Sequence, residues 1–190
     1  RNSRVMDTLV GASLQSDSLL GIEIVGLSVS GELFAALGAI AIIILLGLSA
    51  FFSSSEIALF SLPDHRVDTL AEEGAPGSQT LKHLKSDPHR LLVTILVGNN
   101  LVNVAMSSIA TGLLGFYLSS QGLAVGVATL GITALVLLFG ESAPKSYAVD
   151  HTESWSLRIA RPLRFAEILL LPLVWLFDHL TRIVNKITGG

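Results

Sequence analysis

A chain of 190 residues is long enough for one soluble domain, but a hydrophobic fraction of 51%, a charged fraction of 14% and a mean hydropathy of +0.66 exclude that class. The net charge of -3, with no block of lysine and arginine, removes nucleic acid as a partner. There is no cysteine, so disulfides, thiolate metal sites, iron-sulfur clusters and cysteine nucleophiles are excluded together.

Residues 1–32 mix apolar positions with Asp7, Asp17 and Glu23 and end in Ser28, Ser30 and Gly31, which predicts a short extracellular or interfacial arm without chemistry. They show no basic stretch followed by a short apolar core and a small-residue cleavage site, so the first hydrophobic span is expected to serve as the insertion signal. The transmembrane domain is expected over 33–187. No charge occurs from Leu33 to Ser55 or from Leu91 to Gly140. A bilayer core of about 30 Å takes roughly 20 helical residues. The expectation is therefore an all-α membrane protein with three transmembrane helices, over about 33–62, 91–118 and 123–141.

Between the first two spans, Pro63-Asp64 reads as a helix start, Gly74-Ala75-Pro76-Gly77 as a turn, and the stretch through Lys85 as a second short helix, together a helical hairpin. Asp87-Pro88 opens the second span, and Ser119-Ser120-Gln121-Gly122 is the one turn signal before the third. After Pro144 the chain becomes polar, and juxtamembrane helices are expected over about 151–187. The apolar run Ile168 to Phe177 is ten residues long with Pro172 inside it, too short to span. From Leu173 onward the apolar residues Leu176, Phe177, Leu180, Ile183, Val184 and Ile187 oppose Asp178, His179, Arg182, Asn185 and Lys186, an amphipathic interfacial pattern.

Basic residues fix the expected orientation. Arg66, Lys82, Lys85 and Arg90 lie in and after the hairpin, and Lys145, Arg158, Arg161 and Arg164 follow the third span. Both segments should be cytoplasmic. A multi-pass protein of the cell (plasma) membrane follows, with its N-terminus outside and its C-terminus in the cytoplasm.

Each span carries polar residues in register. Ser49, Ser53 and Glu56 share a face of the first span; Asn99, Asn103, Ser107 and Thr111 recur every four residues in the second; Gly140 and Glu141 precede Pro144 in the third. Serine and threonine in such helices commonly bond back to their own backbone or join helices, and Glu141 could be solvated beside Lys145. Ionisable and amide groups inside spans are, however, functional by default. Pro144 has no N–H to offer the carbonyl four residues back, which leaves the Gly140 oxygen free for a cation, with no side chain in the way. Hydroxyl, amide and carbonyl oxygens with one carboxylate suit hard cations such as Mg²⁺ or Na⁺. The histidines His65, His83, His89, His151 and His179 are expected outside the spans.

FFSSSEIAL at Phe51 to Leu59, GNNLVN at Gly98 to Asn103 and FGESAPK at Phe139 to Lys145 make the chain resemble the transmembrane domain of the CNNM/CorC family of magnesium transporters, over about residues 33–187. The resemblance implies Ser53, Asn99, Asn103, Gly140 and Glu141 as the metal-binding residues, Mg²⁺ as the transported ion, and Na⁺ as a second candidate. It also implies a homodimer in the lipid bilayer, and cytoplasmic CBS-type domains in the full-length protein that are absent from this sequence. Ser142 replaces the family's usual large apolar residue after the Gly-Glu pair. Gly122-xxx-Gly126 would allow close helix contact in a dimer.

The implied activity is magnesium export coupled to sodium influx. Moving a divalent ion outward against 100 mV costs about 4.6 kcal/mol, and with no Walker loop in the sequence an ion gradient is the available source. The rival reading is a membrane-embedded Mg²⁺ or Na⁺ sensor or scaffold that moves no ion. No HExxH, no serine paired with a membrane-embedded histidine and no aspartate pair within spans is present, so no enzyme is expected.

Overall fold

In a bilayer every backbone polar group needs a partner within the chain, and helix supplies it locally. The computed structural model describes residues 31–118 and 120–188, so the arm expected over 1–32 lies outside the described residues apart from its last two. By packing, the chain divides into Arg1–Ala36 and Leu37–Gly190; the described part of the first unit is the opening of the first helix, and everything below concerns the second.

The described elements are all helices: α1 Gly31–Ser61, α2 Asp64–Glu72, α3 Ser78–Lys85, α4 Pro88–Tyr117, α5 Gln121–Leu135, a π-helical stretch Val136–Ser142, α6 Ala143–Asp150 and α7 Thr152–Thr188. Three of these runs are long and apolar enough to cross a membrane: Gly31–Ser61, Pro88–Tyr117 and Gln121–Asp150. Protein covers only 6% of the apolar window of the first, 28% of the second and 22% of the third. Ile43 and Leu130, 69% and 75% exposed, show that the uncovered surface is apolar. Such surface is stable only in lipid or against another apolar face.

The second and third spans are joined at 118–120. Asp87 accepts the Arg90 N–H at 3.1 Å and Pro88 occupies the first turn, which starts α4. Ser120 caps α5, so Gln121 and Gly122, expected in the turn, lie inside the helix. Buried residues recur every four positions along the third span at Ala124, Ala128, Ile132, Val136 and Gly140. Against them α4 buries Val102, Met106 and Ala110. Small residues on both sides let the two helices approach closely.

The hairpin of α2 and α3 turns at Gly74 and Gly77, whose φ angles are 73° and 90°. Gly77 is required twice over, because a Cβ there would also meet the Leu157 carbonyl oxygen at 2.5 Å. Arg66 of α2 is ion-paired with Glu153 of α7 at 2.7 Å, Lys82 with Asp68 at 2.9 Å, and Lys85 with Asp64 at 2.9 Å. Lys85 also donates to the Leu62 carbonyl oxygen, tying the hairpin to the end of α1.

After Asp150 the structure has one continuous helix, α7, running through Pro162 and Pro172, where the sequence suggested more than one. Each proline removes a single intrahelical bond; in a helix of 37 residues the remaining ladder holds the axis. The face that α7 turns inward carries Ile159, Ala160, Leu163 and Glu167. Glu167, its side chain 7% exposed, is ion-paired with Arg90 Nε of α4 at 2.6 Å and accepts from Arg164 at 2.5 Å. The side chains of Asp178, Leu180 and 181–190, half of the expected amphipathic pattern, lie outside those described.

Two predictions follow from these pairs. Glu167→Ala leaves two guanidinium groups, about a third exposed, without a carboxylate, and thermal unfolding in detergent should show a loss of about 1–3 kcal/mol. The hydrogen bond from Arg66 holds the Glu153 carboxyl below its ordinary value of 4.5, against a smaller opposing effect of burial and with the Arg66 charge adding to it. A depressed carboxylate stabilises the fold above its ordinary value and loses that contribution as the pH falls through the depressed one. Glu153→Gln should therefore lower stability at neutral pH and narrow its gap to the parent below about pH 4.

Candidate cation site

The three polar stripes meet at Ser49. Its hydroxyl lies 3.2 Å from Asn99 Oδ1 and 3.0 Å from Asn103 Oδ1, and the residue is fully buried. On the opposite side Gly140 closes in: a Cβ there would sit 2.9 Å from Ser49 Oγ and 3.4 Å from Ser49 Cβ. Residues from all three spans thus share one point at membrane depth.

A serine hydroxyl carries one proton, and here two amide oxygens compete for it. With the two amides turned this way, three uncharged oxygens of the kind a hard cation accepts lie together. The cluster carries no formal charge, and among the described residues no group of three or more His, Cys, Asp or Glu side chains could hold a metal ion. A thiolate- or imidazole-preferring metal has no counterpart in this chemistry.

The remaining candidates lie around this core. Ser53, one turn along α1, is 2% exposed on the same face. Glu141 is half-buried and follows Gly140 in the π-helical stretch. Ser107 and Thr111, the second half of the α4 stripe, are half-exposed, and Asn99 and Asn103 are the stripe members that reach Ser49. The local alternative for hydroxyl groups holds at Ser54 and Ser55, which both donate to the Phe51 carbonyl, and at Ser108, which donates to Val104. Lys145 Nζ lies 3.2 Å from Glu56 Oε2, so the carboxylate beside this lysine is Glu56 of the first span. His89, expected outside the spans, sits in the first turn of α4.

The π-helical stretch alters the expected consequence of Pro144. The Ala143 N–H bonds to Leu138, five residues back, so the register has already shifted when the proline arrives. In the α register Pro144 fails the Gly140 carbonyl; in the π register it fails Phe139. The missing N–H of Pro144 thus falls where five-residue bonding gives way to the α-helix Ala143–Asp150.

Residues 40–190 match the family described as the Cyclin M transmembrane N-terminal domain, CNNM. The chain belongs to the CNNM family. A UPF0053 protein of Haemophilus influenzae is 39% identical over 150 residues, which is 79% of this chain and 35% of that protein. The UPF0053 inner membrane protein YfjD of Escherichia coli K12 is 34% identical over 146 residues, 75% of this chain and 33% of that one. The polyamine export protein of the same strain is 30% identical over 162 residues, 77% and 35%. This CNNM domain spans about a third of the length of these curated relatives.

Ser49 is the residue that reasoning from sequence left out of its ligand set, although it opens the Ser49-Ser53-Glu56 face. Its signal was available: it is the position of that face deepest within the uncharged run. Gly140→Ala supplies the test of this CNNM site. The added methyl meets Ser49 Oγ first, at 2.9 Å, so Ser49 should lose its contact with at least one asparagine. Cation affinity measured by calorimetry is expected to fall about tenfold or more, equivalent to one lost charge-assisted contact, with helix content by circular dichroism unchanged.

Proposed function

We propose that this domain carries Mg²⁺ across the membrane, exporting it in exchange for Na⁺ influx, with a dehydrated ion held among Ser53, Asn99, Asn103, Gly140 and Glu141 and with Ser49 added to that set. The observation that supports this most directly is the single proton shared between Ser49, Asn99 Oδ1 and Asn103 Oδ1. A hard cation prefers oxygen ligands, and here the Ser49 hydroxyl and the two amide oxygens already converge on one point. One carboxylate, Glu141, gives attraction without full neutralisation of a divalent ion, so release stays accessible. The π-helical stretch, with Gly140 in it and Pro144 after it, is the natural point for the third span to change register as access alternates.

The orientation that places the hairpin and α7 in the cytoplasm belongs to this reading, since the basic residues concentrate there. So does a homodimer, which would cover part of the apolar surface of the spans. CBS-type domains beyond this sequence would supply regulation. No catalytic step is assigned to any residue.

A second reading is favoured by the relative named polyamine export protein. Converging hydroxyl and amide oxygens also suit ammonium N–H groups, and a flexible polycation could thread the same stripe. Proteoliposomes containing the domain separate the two. Mg²⁺ efflux that requires an opposing Na⁺ gradient and is lost in Asn103→Ala, with affinity down at least about tenfold, supports exchange. Spermidine flux without Mg²⁺ flux supports the polyamine cargo. Mg²⁺ binding abolished by Asn103→Ala, with no flux of either cargo in the full-length protein, would leave the sensor.

A further inference from the structure

Eight lysine and arginine side chains are described in this structure. Arg66, Lys82, Lys85, Arg90, Lys145 and Arg164 each lie against a carboxylate. Arg158 and Arg161 do not, and both line one cleft of about 330 Å³ together with Pro76, Gly77, Ser154 and Leu157. Among the described residues no carboxylate lines that cleft. Glu72 and Glu73, just before the Gly74–Gly77 turn, act on Lys82 and Arg66. Two unpaired guanidinium groups one helical turn apart hold a positive charge that the fold has matched at every other described position.

The neighbouring aromatic residues indicate the depth of this cleft in the membrane. Tyr147 stacks on His151 at 4.4 Å and meets the edge of Trp155 at 5.3 Å, and the Arg158 guanidinium lies 6.0 Å from the Trp155 ring centre. Tyrosine and tryptophan concentrate at the level of lipid headgroups. On the next turns of α7, Phe165 and Leu169 are 69% and 66% exposed. They border a second cleft of about 370 Å³, walled on its other sides by Leu48, Phe51 and Leu101 of the first two spans. From Arg161 to Leu169 the helix rises about 12 Å, close to the roughly 15 Å of one leaflet's hydrocarbon.

We propose that α7 carries a binding site for an anionic phospholipid: the phosphate lies between Arg158 and Arg161, and an acyl chain runs along Phe165 and Leu169 into the apolar cleft. Charge selects the headgroup class, and the adjoining apolar cleft selects a lipid over free phosphate. The site uses none of the proposed cation ligands, so it stands or falls independently of the cargo.

The test is native mass spectrometry of the full chain, released from neutral detergent containing equal amounts of phosphatidylglycerol and phosphatidylcholine. A basic residue near an anionic headgroup is worth about fivefold in binding, so the pair predicts a preference of about twenty-fivefold for phosphatidylglycerol. Arg158→Gln with Arg161→Gln should bring the ratio close to one, while Arg158→Lys with Arg161→Lys should keep most of it. Phe165→Ala with Leu169→Ala should lower retention of both lipids and leave the ratio unchanged. Equal retention of the two lipids by the parent chain would overturn the proposal, as would a preference that survives the double glutamine variant. Displacement of phosphatidylglycerol by inorganic phosphate, with equal thermal stabilisation in the absence of lipid, would assign the cleft to a free anion and also overturn it.

Discussion

At membrane depth water is not available to satisfy a polar group, and the hydroxyl of Ser49 with its two asparagine neighbours is where this chain concentrates that difficulty. The surrounding architecture can be read as what allows those groups to meet. The four-residue row of small and apolar positions on the third span ends in Gly140, the residue that can lie against Ser49 without a side chain intervening. The row Val102, Met106 and Ala110 on α4 holds that span in place, with Asn99 and Asn103 turned toward the first helix. At the other end, the hairpin and α7 fix the starts of the helices through ion pairs centred on Glu153 and Glu167.

The number of spans, the hairpin and the all-helical class were legible because they depend on charge-free length and on turn residues, both local properties of the sequence. Asp87-Pro88 marked the start of α4 for the same reason. What was not legible depends on register between helices. Asn99 and Asn103 looked equivalent to Ser107 and Thr111 in a period-four stripe, yet the first two reach Ser49, because α1 and α4 come together there. The continuity of α7 was missed because a proline reads as a stop in isolation, whereas a long ladder absorbs the loss of one bond.

The π-helical stretch shows how local rules combine. Proline at 144 and glycine at 140 are each permissive, and together they suggested a single orphaned carbonyl. Ahead of the proline the backbone slips to five-residue bonding between Val136 and Ser142, which neither residue announces by itself. Within this stretch Gly140 lies against Ser49 of α1, and Glu141 beside it is half-buried.

The formal neutrality of the Ser49 cluster has an electrical side. Ser49, Ser53, Asn99, Asn103 and Gly140 contribute no charge, and Glu56 is balanced by Lys145 within the same helical layer. When such a pocket is empty, reorienting it across a membrane potential moves almost no charge through these residues. On the proposed reading, the formal charge of the site lies with the single carboxylate of Glu141 and with the ion it holds. In the proposed exchange, the empty set and the set holding Mg²⁺ would carry formal charges equal in size and opposite in sign, while Na⁺ would cancel the carboxylate, so the Na⁺-loaded form would be the one least responsive to voltage.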